Sequence, residues 1–97
     1  MTKKEFRKNC EDIKNEMLEN YGYVMCQQCQ TTDSFKFENH HLVYRSEKRG
    51  HKNLHDKANL IFLCSDCHSF MHSHKKEARR ELVEERGLVA LFGNDIL

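Results

Sequence analysis

Cys64-Ser65-Asp66-Cys67-His68-Ser69-Phe70-Met71-His72 sets a C-x-x-C pair directly against two histidines four residues apart. Upstream, Cys26-Gln27-Gln28-Cys29 supplies a second pair, and His40-His41 falls between the two. Two intervening residues let both sulfurs of a pair reach one ion at about 2.3 Å. The thiols of Cys26, Cys29, Cys64 and Cys67 therefore predict a tetrahedral structural Zn²⁺ site. Closed by four thiolates, such a site has no position for water and shapes the chain without doing chemistry. No histidine pair follows Cys29 at finger spacing, which excludes a C2H2 finger. The histidines form a separate set. On a helix, His68 and His72 stack on one face roughly 6 Å apart along the axis and can chelate one ion. With seven histidines in the chain such a pair also arises by chance, and the company of His40-His41 is what points to a catalytic metal.

A length of 97 residues fits one domain spanning residues 1–97. A chain this short buries only roughly 60 to 65% of the surface its unfolded form exposes. Structural zinc adds about 10 to 16 kcal/mol of apparent binding energy, against about 1.5 to 3 kcal/mol for one more buried leucine. The metal-free chain is expected to be largely unfolded. Five cysteines also admit disulfides, but Met1-Thr2-Lys3-Lys4-Glu5 leads into a charged amphipathic stretch and not a secretion signal. The longest apolar run, Leu60 to Cys64, is far short of the roughly 20 residues of a membrane span. These features predict a cytoplasmic location, no membrane partner, and reduced thiols available to zinc. The odd cysteine, Cys10, reads as a small buried hydrophobe on a helix face.

Along the chain, Thr2-x-x-Glu5 reads as a capping box, and Phe6, Cys10, Ile13 and Met17 recur at helical spacing. They predict a helix over 3–20 that covers the metal core and stops at Tyr21-Gly22-Tyr23. After a thiol-bearing knuckle from Cys26 to Asp33, alternation from Phe35 through His40 to Tyr44 predicts a strand. Residues 45–57, apolar only at Leu54, form an expected exposed loop with a turn at Gly50. Leu60-Ile61-Phe62-Leu63 then makes a short strand that delivers Cys64. From Ser65 or Asp66 one helix is expected to run to Arg86, with Gly87 as the residue past its end. At about 100° per residue it sets His68, His72, Lys75, Arg79 and Arg86 on one stripe, with Met71, Ala78 and Leu82 beside it facing the core.

The net charge of +1 averages over basic clusters near the N-terminus, in the 45–52 loop and at 75–80. A local field matters more to a bound phosphate than the sum does. Arg45, Lys48, Arg49 and Lys52 in the loop, and Lys75 and Arg79 on the helix, are the candidate nucleic-acid contacts. His51, His55 and His74 read first as solvated, and Glu47 and Asp56 have no assigned task. The apolar tail Leu88 to Leu97 is expected to pack on the first helix or on a partner, so a homodimer through it is one arrangement.

The order C-x-x-C, His40-His41, Asn59-Leu60, C-x-x-C-His68 and a final His72 resembles the HNH endonucleases, nucleases with a ββα-metal active site, in the variety strengthened by a four-cysteine zinc. The resemblance covers residues 24–74. It implies an α+β fold with a treble-clef-like ββα-metal core, flanked by the N-terminal helix and by a helix and tail over 75–97. It also implies roles. His41 matches the general base that deprotonates the attacking water, and His40 sits where the family has a ligand of the catalytic metal. Asn59 resembles the middle Asn, whose amide braces the loop and orients the base. His68 matches the last His, and His72 the fourth histidine of the colicin-type branch, both as metal ligands.

By the same resemblance the substrate is DNA, cut one strand at a time to leave 5′-phosphate and 3′-hydroxyl ends. The small size is similar to phage-encoded or stand-alone bacterial members. The working divalent metal is Mg²⁺, Mn²⁺, Ni²⁺ or Zn²⁺; nitrogen donors suit Zn²⁺, Ni²⁺ or Co²⁺ better than Mg²⁺. One geometric requirement follows. Adjacent residues of a regular strand point to opposite faces, yet His40 and His41 must approach one phosphate, so the pair is expected at a bulge or a strand end. Competing readings are a non-catalytic zinc-stabilised module that binds nucleic acid or protein, and a small regulatory subunit with a relict site. The joint presence of His40, His41, Asn59, His68 and His72 favours catalysis, because binding alone has no need of a base beside three ligands.

Overall fold

Two short strands organise the chain, whose residues 3–97 are described by a computed structural model. The elements are α1 (Lys3–Tyr21), β1 (Phe37–His41), β2 (Leu60–Cys64), α2 (Ser65–Ser73), α3 (Lys75–Glu85) and α4 (Leu88–Phe92), with 3-10 turns at Lys57–Asn59 and Asn94–Ile96. The strands pair antiparallel, with Phe37 opposite Cys64 and His41 opposite Leu60. Side chains alternate across a strand, so β2 divides the core. Leu60 and Phe62 face α1 and pack with Ile13 and Met17. Ile61 and Leu63 face the other way, into a cluster with Leu42, Val43, Met71 and Val83. Covered on both faces, all five residues of β2 are buried, which is why they read as an unbroken apolar run. The class is α+β, and β1, β2 and α2 follow in the expected ββα order.

The expected first helix is present. Thr2 of its capping box lies outside the described residues. At the far end Gly22 takes φ 79° and its N–H donates to Leu18 O at 2.9 Å, a left-handed cap that residues with a Cβ resist. β1 is shorter than the alternation predicts. Phe35 is 99% exposed and Ser34 Oγ accepts from Lys36 N at 3.4 Å, a local turn that competes with strand pairing. Beyond His41, Leu42 N goes to Asn59 O at 2.9 Å and the strand ends.

The helix expected to run unbroken to Arg86 is two helices: the chain breaks at His74, with φ −129° and ψ 45°, into α2 and α3. Neither proline nor glycine marks the break. Tertiary contacts beyond it outweigh helical continuity: Val83 joins the apolar cluster, and Arg79 turns inward. The expectation that Arg79 contacts nucleic acid is therefore corrected, since it is 1% exposed. Its guanidinium holds both carboxylate oxygens of Glu47 at 2.7 and 2.8 Å, donates to Ile96 O at 2.6 Å, and also donates to Leu42 O. Arg86 leaves the stripe as well, donating to Leu60 O at 2.7 Å and Ala58 O at 3.2 Å.

Although burial opposes ionisation of Glu47, the Arg79 guanidinium and the Tyr44 N–H hold its carboxyl down at about 2. A depressed carboxylate stabilises the fold fully above its unfolded value near 4.3 and loses that contribution as pH falls toward 2. Arg79→Ala leaves Glu47 with Lys75 at 3.5 Å as its remaining cation and takes the buried donor from Leu42 O and Ile96 O. It is expected to cost about 1 to 3 kcal/mol for each acceptor left without its partner, read as a lower urea midpoint.

The tail does not pack on α1. Leu88, Phe92 and Ile96 join Ile61 and Leu63 on the opposite face of the sheet, since the turn at Gly87, φ 66°, sends α4 back over it. No helix among the described residues is long and apolar enough to cross a membrane.

Candidate metal centres and cleft

Cys26 and Cys29 sit on a tight turn in which Gln30 N donates to Cys26 O at 2.9 Å. Cys64 ends β2 and caps α2, its sulfur accepting from Cys67 N at 3.5 Å. The four sulfurs lie within 4.8 Å of one another, and Cys29 Sγ and Cys64 Sγ are 3.8 Å apart. That matches the edge of about 3.8 Å for a tetrahedron with zinc–sulfur bonds of about 2.3 Å. Burial raises the Cys26 thiol, but the N–H groups of Cys29, Cys64 and Gln28 outweigh it and bring the value to about 7. Cys67 is pushed upward by burial and by the neighbouring thiols. Four thiols this close do not all ionise without a cation among them, so the donor set fits a structural zinc.

Strand alternation turns Glu38 and His40 toward α2, where His68 and His72 lie one turn apart. Ring centroids are 5.1 Å apart for His40 and His68, 4.9 Å for His40 and His72, and 4.6 Å for His68 and His72. One nitrogen of each ring falls within 4.8 Å of the others. The Nε2 atoms of His68 and His72 are 3.2 Å apart, and His40 Nε2 is buried with no hydrogen-bond partner. Burial first, then the neighbouring imidazoles of His68 and His72, holds His40 down at about 4. It is thus neutral at pH 7, with a lone pair to give.

The opposite nitrogens are occupied. Glu38 Oε2 lies 3.0 Å from His68 Nδ1, and Tyr44 Oη 3.3 Å from His72 Nδ1. Partners on Nδ1 orient imidazoles so that Nε2 faces an ion. An orphaned buried nitrogen beside two pre-oriented imidazoles fits a divalent metal. Nothing local in the sequence marks Tyr44 for this task, whereas Glu38 stands two residues before His40 on one strand face, a spacing that makes it a neighbour.

His41 faces α1. Phe6 stacks on it at 5.2 Å with rings 14° from parallel, and its Nε2 lies 2.9 Å from His55 Nδ1. Burial, then His55 and Arg45, depress His41 to about 4. His40 and His41 are the last two residues of β1. Although alternate, both line one cleft of about 750 Å³, along with Asn39, Tyr44, Arg45, Ser46, Arg49 and His72. β1 is an edge strand of a two-stranded sheet, so groups from its two faces can meet at the edge.

Asn59 is fully buried. Its Oδ1 accepts from Val43 N at 2.7 Å, and its Nδ2 donates to Val43 O at 3.1 Å and Leu54 O at 2.9 Å. The amide thereby ties the segment after His41 to the loop that carries His55. Asp56 caps the following turn by accepting from Ala58 N at 3.0 Å.

Among the candidate cations, Arg45 and Arg49 are exposed and line the cleft. Lys52 is exposed outside that lining. Lys48 pairs with Asp95 at 2.8 Å, and Lys75 lies 4.7 Å over the Tyr44 ring and 3.5 Å from Glu47. Of the histidines read as solvated, His74 is exposed and stacks on Phe70 at 4.6 Å. His51 packs on Phe92 at 4.6 Å, and His55 pairs with His41. No local pattern announces that last contact, because the two are joined only through the fold.

The family model for HNH endonuclease matches residues 26–74, a span that holds both candidate ligand clusters, His41, His55 and Asn59, and excludes α1. No curated protein and no solved structure gave a match.

Proposed function

Because the chain belongs to the HNH endonuclease family, we propose that it is a metal-dependent endonuclease that hydrolyses DNA phosphodiester bonds with His41 as general base. The observation that carries this reading is the company His41 keeps: a neutral imidazole at the mouth of a cleft whose wall also holds His40 and His72 of the three-histidine cluster. Cys26, Cys29, Cys64 and Cys67 would hold a structural zinc. His40, His68 and His72 would hold one catalytic divalent ion, which when bound stabilises the charge that builds on the phosphate and on the leaving 3′ oxygen.

The remaining work falls to side chains. Depressed to about 4, His41 is unprotonated at cellular pH and can take the proton of an attacking water. Arg45 and Arg49, exposed on the cleft wall, suit contacts to the DNA backbone, which position a duplex without reading its sequence. Asn59 keeps the segment after His41 in register with the loop. Glu38 and Tyr44 keep His68 and His72 turned toward the ion.

Supercoiled plasmid incubated with Mg²⁺, Mn²⁺, Ni²⁺ or Zn²⁺ tests the proposal. Nicked circles with 5′-phosphate and 3′-hydroxyl ends are expected with at least one metal. Intact plasmid under all four, with DNA still bound, would favour the non-catalytic binding module instead.

A further inference from the structure

Resting on the nuclease reading, we infer that His55 is the positioning residue of the His41 base: its Nδ1 accepts the Nε2 hydrogen of His41, leaving Nδ1 of His41 as the nitrogen that deprotonates water. The two nitrogens are 2.9 Å apart. A neutral imidazole has one donor and one acceptor nitrogen, so one hydrogen lies between the rings and belongs to one of them. Were it on His55, His41 would carry its own hydrogen on Nδ1 and have no lone pair facing the cleft. With the hydrogen on His41 Nε2, Nδ1 is bare. That atom makes no hydrogen bond among the described residues and is not a buried orphan, so water reaches it.

α1 builds a cage around this pair. Phe6 lies parallel to His41 at 5.2 Å and tilted to His55 at 5.1 Å. Asn9 Nδ2 donates to His55 O at 2.7 Å, and the preceding Leu54 O is held by Asn59. His55 is thus fixed at its backbone from two sides and at its ring by Phe6 and His41. α1 lies outside the family-matched residues 26–74, so the clamp reaches the pair from outside the matched core. During the reaction the proton leaves water for His41 Nδ1. The freed oxygen pair forms the new bond to phosphorus as the bond to the 3′ oxygen breaks, and solvent protonates that oxygen. The hydrogen between His41 and His55 stays where it was.

The test uses the intact metal-loaded protein. Ring ¹⁵N NMR of the parent is expected to show His41 with hydrogen on Nε2 and none on Nδ1, and His55→Ala is expected to lose that single tautomer. In single-turnover nicking His55→Ala should slow cutting by about 10- to 100-fold, with metal content and KM unchanged. His55→Gln, whose amide oxygen can accept the same hydrogen, should recover most of the rate. A parent with hydrogen on His41 Nδ1 would overturn the inference, as would parental cutting by His55→Ala, or a folded His55→Gln no faster than alanine. If the parent cuts no DNA, the nuclease reading falls while the NMR result still decides which ring holds the hydrogen.

Discussion

Stripping metal from the four-cysteine cluster, by a strong chelator or by Cys64→Ser, is expected to unfold the chain. Apparent zinc binding of about 10 to 16 kcal/mol equals or exceeds the net stability of about 5 to 15 kcal/mol of ordinary domains. Few other ties join the knuckle to the sheet: Gln27 N donates to Phe62 O at 2.8 Å and Phe62 N to Gln27 Oε1 at 2.8 Å. Cys64 also ends β2 and caps α2, so its sulfur would join a bound zinc to the strand and helix that carry the core. Far-UV circular dichroism should show helix loss in step with zinc release. A chelated protein that keeps its helix content and a cooperative unfolding transition would show that the cluster is dispensable to the fold.

His41→Ala is expected to slow single-turnover nicking by about 10²- to 10⁴-fold, the range for loss of a positioned base. That corresponds to about 3 to 5 kcal/mol of transition-state stabilisation. Metal content should not change, because His41 faces Phe6 and His55 while the three-histidine cluster lies toward α2. Cutting at the parental rate would remove His41 from the role of base. Loss of metal together with activity would mean that the substitution disturbs the neighbouring ligands and says nothing specific about proton transfer.

Much of this architecture is legible in local spacing. C-x-x-C pairs fix the thiol geometry over three residues, the apolar recurrence at Phe6, Ile13 and Met17 reports the buried side of α1, and H-x-x-x-H on a helix places His68 beside His72. What is not legible depends on partners distant in sequence. By helical angle Arg79 shares a face with His72, and only the acceptors at Leu42, Glu47 and Ile96 reveal that it turns inward. The break at His74 has the same origin, since no residue there resists a helix by itself. Glu47 gains its task from Arg79 and Tyr44, and His55 gains one from His41, 14 residues away. The tail reads correctly as apolar, but which sheet face it covers is decided by the turn at Gly87 and by Ile61 and Leu63.

Metal stoichiometry tests the central claim, that His40, His68 and His72 gather a reactive ion apart from the cysteine cluster. Equilibrium dialysis followed by elemental analysis should find two ions per folded parent chain, one tight and one weaker. The double variant His68→Ala/His72→Ala should keep only the tight ion, with unchanged helix content and no nicking. One ion in both proteins, or a folded double variant that still binds two, would contradict the account.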